Sequence, residues 1–408
     1  MTAPRTPARD TFDAVIDLLP ARGLARQAVA LVKLTYTIEG GRLRLAAPEP
    51  LKHDLRDPTL VPRLPVGTDF FWTKLATDFV VQGAAFASGG RPTASMEVSA
   101  KIGANEKRIR VFGKREISWD GAGKPRFFGA DPFEQMELTF LNAYGGLDPQ
   151  VLVDAPEDIG DLLRLRGDHP GLYPRNPFGK GYLVAAGSHE GAEMPNLEDP
   201  TDLLTEERLL VGDPRRWHAQ PLPWCHHFVH AMMFPRFLFA PLHPDAWFPA
   251  PEDVSLAEVR RGFLMRGYRA MLAERGQTQV GHPRFFQEGS HGFVLAEPPY
   301  GETMIFEGMH PEERTICVAL PEKPPALSFE IEGQRREARP RLHTIVARPA
   351  EKKITLVYGV EAPLTRPFLP GVHKHIPVSV TIDGAPPLAY EAPIPIKERL
   401  RQGREEER

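Results

Sequence analysis

Val32-Lys33-Leu34-Thr35-Tyr36-Thr37-Ile38-Glu39-Gly40-Gly41-Arg42-Leu43-Arg44-Leu45 alternates apolar and polar residues on both sides of a double glycine. A period of two places Val32, Leu34, Tyr36 and Ile38 on one face of a strand, and the glycines supply the positive φ of a tight hairpin turn. The same grammar recurs downstream. Met96, Val98, Ala100 and Ile102 alternate, Ala104-Asn105-Glu106 turns the chain, and Arg108-Ile109-Arg110-Val111 returns it. Strand patterns follow at 137–140, 293–295, 303–306 and 315–320. After a linker at 321–325, Leu327, Phe329 and Ile331 alternate before a Glu332-Gly333-Gln334 turn. Further strands are expected at 342–347, 354–358 and 378–382, with Asp383-Gly384 as another turn.

Composition agrees with many short strands. The chain has 408 residues with 35 glycines and 43 prolines, an excess that favours turns over long helices. Between 148 and 251 prolines recur too often for long regular elements, although 157–166 carries a short helical pattern. Ser255-Leu256-Ala257-Glu258 is a capping box and predicts a helix running to about residue 275. The expected fold is mainly β: twisted antiparallel sheets in a sandwich or partly closed form, a loop-rich middle, one helix and an additional C-terminal β domain. Residues 1–10 read as a disordered N-terminus, 11–321 as one domain, 326–391 as the C-terminal β domain and 397–408 as a charged tail.

A net charge of −3 gives no basic field for nucleic acid. No apolar run is long enough for a membrane span or a signal peptide, so a soluble cytoplasmic protein is expected. Two cysteines, Cys225 and Cys317, imply no disulfide framework.

The most unusual residues gather in three signatures. They are Asn142-Ala143-Tyr144-Gly145-Gly146, Tyr173-Pro174-Arg175-Asn176-Pro177-Phe178-Gly179-Lys180-Gly181-Tyr182 and Met194-Pro195-Asn196-Leu197-Glu198-Asp199-Pro200. Prolines that fix φ alternate with residues that tolerate positive φ, so each signature specifies a backbone path. Tyr144, Gly145, Gly146, Arg175, Asn176, Pro177, Gly179, Gly181, Pro195, Asn196 and Glu198 are the candidate structural or recognition positions. Arg175, bounded by Pro174, is suited to clamp a carboxylate. The run from Asn176 to Gly181 looks like a phosphate loop but lacks the spacing and the Ser/Thr of one.

Trp224-Cys225-His226-His227-Phe228-Val229-His230 is the one metal-like constellation, since His226 and His230 would share a helical face. It lacks a second cysteine and the glutamate of a zinc-protease pattern. Packing of Trp224, Phe228 and Met232 competes with that reading. Cys317 lies in an apolar strand pattern and reads as an inert thiol. Phe234, Phe237, Trp247 and Phe248 are candidate interface aromatics in a Pro-rich setting. Asp69, Asp78 and Glu193 are acids expected to be turn-forming or paired. No cofactor is expected.

These signatures, with others in order, resemble a bacterial domain-of-unknown-function family encoded beside type VI secretion spike and effector genes. The matching residues include Asp69-Phe70 with Lys74, Thr77 through Ala85, and Val111-Phe112-Gly113-Lys114-Arg115, where Lys114 replaces a usual acidic residue. Phe234-Pro235-Arg236 and Arg284-Phe285-Phe286-Gln287 also match. Trp224 to His227 stands where the family has a glycine-rich turn. The resemblance covers about residues 25–321. It implies an effector adaptor or chaperone whose partners are an effector and a spike or tip protein, and it brings no catalytic residues. The contrasting expectation is a metal-dependent or carboxylate-based hydrolase, built on Cys225, His226, His230 and the many acids.

Overall fold

The computed structural model describes residues 11–21, 24–52, 69, 74, 76–148, 150–151, 171–173, 175–184, 189–229, 287–368, 376–383 and 385–390. The helices expected at 157–166 and 255–275, the interface aromatics Phe234, Phe237, Trp247 and Phe248, and His230 lie outside the described residues.

The opening alternation becomes a long strand that anchors the largest sheet. β1 (Asp13–Ala21), β2 (Leu24–Glu39) and β3 (Arg42–Leu45) come from the N-terminal region. In the seven-stranded sheet β1 and β3 both pair with β2, and β2 pairs in turn with β20 (Lys353–Phe368). β19 (Arg341–Arg348), β4 (Thr77–Val81) and β14 (Val294–Leu295) follow outward. Every pairing is antiparallel except that of β19 with β4. Gly40 and Gly41 both take positive φ, as a two-residue hairpin turn between Glu39 and Arg42 requires.

A five-stranded antiparallel sheet runs β13 (Leu197–Glu198), β7 (Asn105–Phe112), β6 (Ser95–Ile102), β15 (Thr303–Glu307) and β16 (Thr315–Ala319). Its β6–β7 turn sits at Gly103-Ala104, one residue earlier than the sequence suggests, with Ile102 opposite Asn105. A four-stranded sheet runs β18 (Gln334–Ala338), β17 (Leu327–Ile331), β21 (Val378–Ile382) and β22 (Leu388–Ala389). Three two-stranded pairs complete the described strands: β5 (Ala84–Phe86) with β10 (Gln135–Glu137), β8 (Glu116–Trp119) with β9 (Pro125–Phe128), and parallel β11 (Tyr144–Gly145) with β12 (Lys180–Gly181). The strand expected at 137–140 ends at Glu137, and the chain then makes a 3-10 turn over Phe140–Asn142.

The protein is thus mainly β, with several mostly antiparallel sheets, none of them closed among the described residues. One buried cluster joins the three large sheets. Ala28, Ala30, Val32 and Leu34 of β2 share it with Val98 and Ile109 of the five-stranded sheet and Phe329 and Val380 of the four-stranded one. The boundary expected between 321 and 326 does not separate the sheets. β19 and β20 lie downstream of it yet fill the middle of the seven-stranded sheet, while β17, β18, β21 and β22 pair among themselves.

The second face of β2 also differs from the alternation. Lys33 and Thr35 are buried, not solvated. The Lys33 ammonium donates to Asp69 Oδ2 at 2.7 Å and to the Pro50 carbonyl at 3.1 Å, and Thr35 Oγ1 accepts from the Glu49 N–H. A following segment covers this face, and buried charge is tolerable there because it is paired. No helix of the described residues is long and apolar enough to cross a membrane.

Candidate functional site

The three central signatures meet in one knot of backbone. β11 of the first lies parallel to β12 of the second, with Tyr182 N–H donating to the Gly145 carbonyl at 2.9 Å and Gly146 N–H to the Asn176 carbonyl at 2.8 Å. The third signature joins through Asn196, whose N–H donates to the Asn142 carbonyl and whose carbonyl accepts from Phe112 N–H, each at 2.8 Å. Asn176 Nδ2 donates to the Phe140 carbonyl at 2.7 Å and the Tyr144 carbonyl at 3.1 Å. Asn196 Nδ2 ties the Phe112 and Gly113 carbonyls in the same way. Both side-chain amides supply donors to carbonyls of the buried loops.

Glycines are required by this approach at 145, 146, 179 and 181. Gly145 has φ +151° and an added Cβ would run into the Asn176 carbonyl, whereas at Gly181, with φ +93°, it would strike the Pro195 ring. Tyr144, Gly145, Gly146, Arg175, Asn176, Pro177, Gly181, Pro195, Asn196 and Glu198 are all buried, and Gly179 is half-buried. The run that resembles a phosphate loop therefore packs its backbone against 143–145.

Beneath the knot lies an aromatic core. Tyr144 and Tyr173 meet edge to face at 5.2 Å between ring centroids, and Tyr173 lies 5.0 Å from Tyr182. The Tyr144 hydroxyl donates to Gln220 Oε1 and the Tyr173 hydroxyl to the Pro221 carbonyl. Burial raises the pKa of both phenols, so they remain protonated donors. Among the described residues, the Arg175 guanidinium points at the Trp217 ring (5.1 Å), the Tyr173 hydroxyl and the Gln220 carbonyl (both 3.4 Å).

Arg115 clamps a carboxylate of the third signature. Its guanidinium bonds Glu198 and the Pro195 carbonyl and lies 3.9 Å over the Phe112 ring. Glu198 also accepts from Leu204 N–H at 2.8 Å. Burial holds the Glu198 carboxyl above its ordinary range, against the opposing pull of Arg115.

Cys225 and His226 lie together but not on a helix. The thiol donates to the Leu138 carbonyl at 3.1 Å, and burial pushes its pKa to about 11. A thiol so protonated is a poor nucleophile. His226 Nε2 lies 3.0 Å from the Lys107 carbonyl, which can only accept, so Nε2 carries the proton. The ring stacks on Phe293, and burial, with the nearby Lys107 charge, pushes its pKa to about 3. Among the described residues no group of three or more His, Cys, Asp or Glu is set to hold a metal ion.

Two buried clusters centre on lysines, and in the second Asp78 is paired, as expected of it. Lys107 donates to the Cys225 carbonyl (2.7 Å), Ser290 Oγ and the His291 carbonyl (both 3.1 Å), with its ammonium 4.2 Å from the Trp224 ring centroid. Burial pushes its pKa to about 7. Second, Lys74 bridges Asp78 (2.6 Å), Glu288 (3.2 Å) and Thr344 Oγ1 (2.9 Å), while Gln287 Nε2 donates to Asp78 Oδ1 at 2.8 Å. The available signal was a carboxylate inside the short apolar run Thr77-Asp78-Phe79-Val80-Val81, which must be partnered if that strand is buried.

A family model described as "Uncharacterized protein conserved in bacteria (DUF2169)" matches residues 24–359. Its match ends within β20, so it includes strands on both sides of the expected domain boundary. No curated protein and no solved structure matches the chain.

Proposed function

The chain belongs to the DUF2169 family of uncharacterized bacterial proteins, and from that premise we propose that it is a non-enzymatic adaptor or chaperone. In this reading it binds a type VI secretion effector in the cytoplasm and helps load it onto the secretion spike or its tip protein. The observation that carries the proposal is how the conspicuous residues are employed. Asn176 and Asn196 tie backbone carbonyls, Arg115 and Glu198 clamp the third signature, and Cys225 and His226 are held protonated and neutral inside the core. Such residues build a rigid frame, and a frame suits presentation of surfaces to another protein. The gene neighbourhood implied by the sequence resemblance supplies the partner class.

Co-purification tests the proposal. The full chain is expected to retain, at micromolar concentration, the effector encoded beside its gene or the spike tip protein. Retention of neither would sink it.

A carboxylate-based hydrolase is the second reading, favoured by two carboxylates, Asp78 and Glu288, sharing the Lys74 ammonium. Against it, Asp78 Oδ1 accepts from Gln287, and Oδ2 from both Lys74 and Glu288 N–H. Elemental analysis of the purified chain addresses the metal-dependent form, where stoichiometric zinc lost on replacing His226 and His230 would favour it.

A further inference from the structure

A cleft of about 410 Å³ opens between the seven-stranded and four-stranded sheets, away from the central knot. Leu34 and Tyr36 of β2 and Tyr358 of β20 form its floor, the run Pro321-Glu322-Lys323-Pro324-Pro325 one wall, and Asp383 the rim. The register explains the floor. Tyr358 sits opposite Val32, so its ring shares a face with Leu34 and Tyr36.

Tyr358 is 1% exposed, yet its hydroxyl has no hydrogen-bond partner among the described residues. A hydroxyl on a cleft-lining residue that bonds no described residue is a donor open to a ligand carbonyl. Tyr36 adds a second hydroxyl, half-buried on the same floor. Burial, with Asp383 nearby, pushes the Tyr36 pKa up to about 12, and burial raises Tyr358 as well, so both donate at neutral pH. Asp383 uses Oδ1 to accept from Ala326 N–H at 2.7 Å, which leaves Oδ2 available at the rim. Glu322 adds negative charge beside it, against one ammonium, Lys323.

We propose that this cleft is a docking site for an extended, proline-rich segment of a partner protein that carries arginine. Tyrosine and proline rings make a flat apolar bed for a polyproline II strand, whose backbone carbonyls are unpaired and need donors. The two hydroxyls supply the donors. The exposed Asp383 carboxylate suits a guanidinium. The volume matches about one turn of such a helix, roughly three residues. This assignment does not rest on the adaptor reading, since the cleft recognises the peptide whatever protein bears it.

Fluorescence anisotropy on the full chain tests it, with labelled peptides of repeated Pro-Pro-Arg, Ala-Ala-Arg and Pro-Pro-Glu units. The Pro-Pro-Arg peptide is expected to saturate the chain, and the other two to bind at least about tenfold more weakly. Tyr358→Phe removes only an unpartnered hydroxyl, so it keeps the unfolding midpoint while weakening the Pro-Pro-Arg peptide about tenfold. Asp383→Asn keeps the acceptor for Ala326 and is expected to erase the preference for arginine over glutamate. No saturable binding up to about 1 mM overturns the proposal. So does equal binding of all three peptides, or binding unchanged in both variants.

Discussion

At His226 burial fixes a protonation state with consequences for pH. Burial of the ring, with the nearby Lys107 charge, lowers the folded pKa to about 3, below the unfolded value of about 6.5, against the opposing pull of the Nε2–H bond to the Lys107 carbonyl. Lys107 is depressed in the same sense, to about 7 against about 10.4 unfolded. For a depressed basic group the unfolded chain binds more protons between the two pKa values, so stability climbs with pH across that window. His226 thus contributes stability that is present above about 6.5 and lost as pH falls towards 3. Lys107 contributes a further rise from about pH 7 to about 10. Urea midpoints measured across pH are expected to show both slopes, each on the order of a few kcal/mol. His226→Gln should flatten the acid limb and Lys107→Met the alkaline one. An unchanged profile in both would refute the assignment. The sequence made these residues conspicuous, but only as a metal-like string. What it could not supply was Lys107, which reaches them from β7.

At the scale of elements, the knot of three loops depends on side chains that replace missing ladder partners. Asn176 alone serves two carbonyls. Asn176→Ala removes a donor from the Tyr144 carbonyl and leaves the Phe140 carbonyl only the longer bond from Ala143 N–H, and is expected to cost about 1–3 kcal/mol, read from urea denaturation by the drop in midpoint. A loss below about 0.5 kcal/mol would mean that water replaces the amide. The hairpins were legible in sequence because their information is local. Gly40-Gly41 and Glu332-Gly333 each place two positive-φ residues between paired strands, as alternation and turn chemistry announce. β4 did not read as a strand by alternation, since all five of its residues are buried. It lies inside the sheet, pairing with β19 and β14, and a strand covered on both faces loses the period of two. The knot itself was legible as a set of special backbone positions. Which loops meet was not, because Asn176 finds Tyr144 and Phe140 through space.

For the molecule as a whole, the division of the chain is the point at issue. A boundary at 321–326 follows from a Pro-rich linker, yet β20 pairs with β2 from Ala25 to Thr37 and β19 pairs with β4. A chain ending at Pro325 would strip β2 of its inner neighbour and uncover Val29 to Val32. Such a truncation is expected to lose its cooperative urea transition and to be degraded rapidly by added protease. A cooperative transition would show that the first part folds alone. The peptide cleft belongs to this scale too, since Tyr36, Tyr358 and Asp383 come from three separate strands or turns.

The sequence by itself determined the β character, the hairpins, the special backbone of the three signatures and the family, because each is written in residues close together along the chain. Tertiary structure decided the rest. It assigned the seven-stranded sheet to both ends of the chain and turned Lys33, Lys74 and Lys107 from apparent surface charges into buried cross-links. It placed two tyrosines on one cleft floor. The reason is physical: burial and pairing depend on which distant strand lies alongside, and a period of two says which face a residue takes but not what covers it.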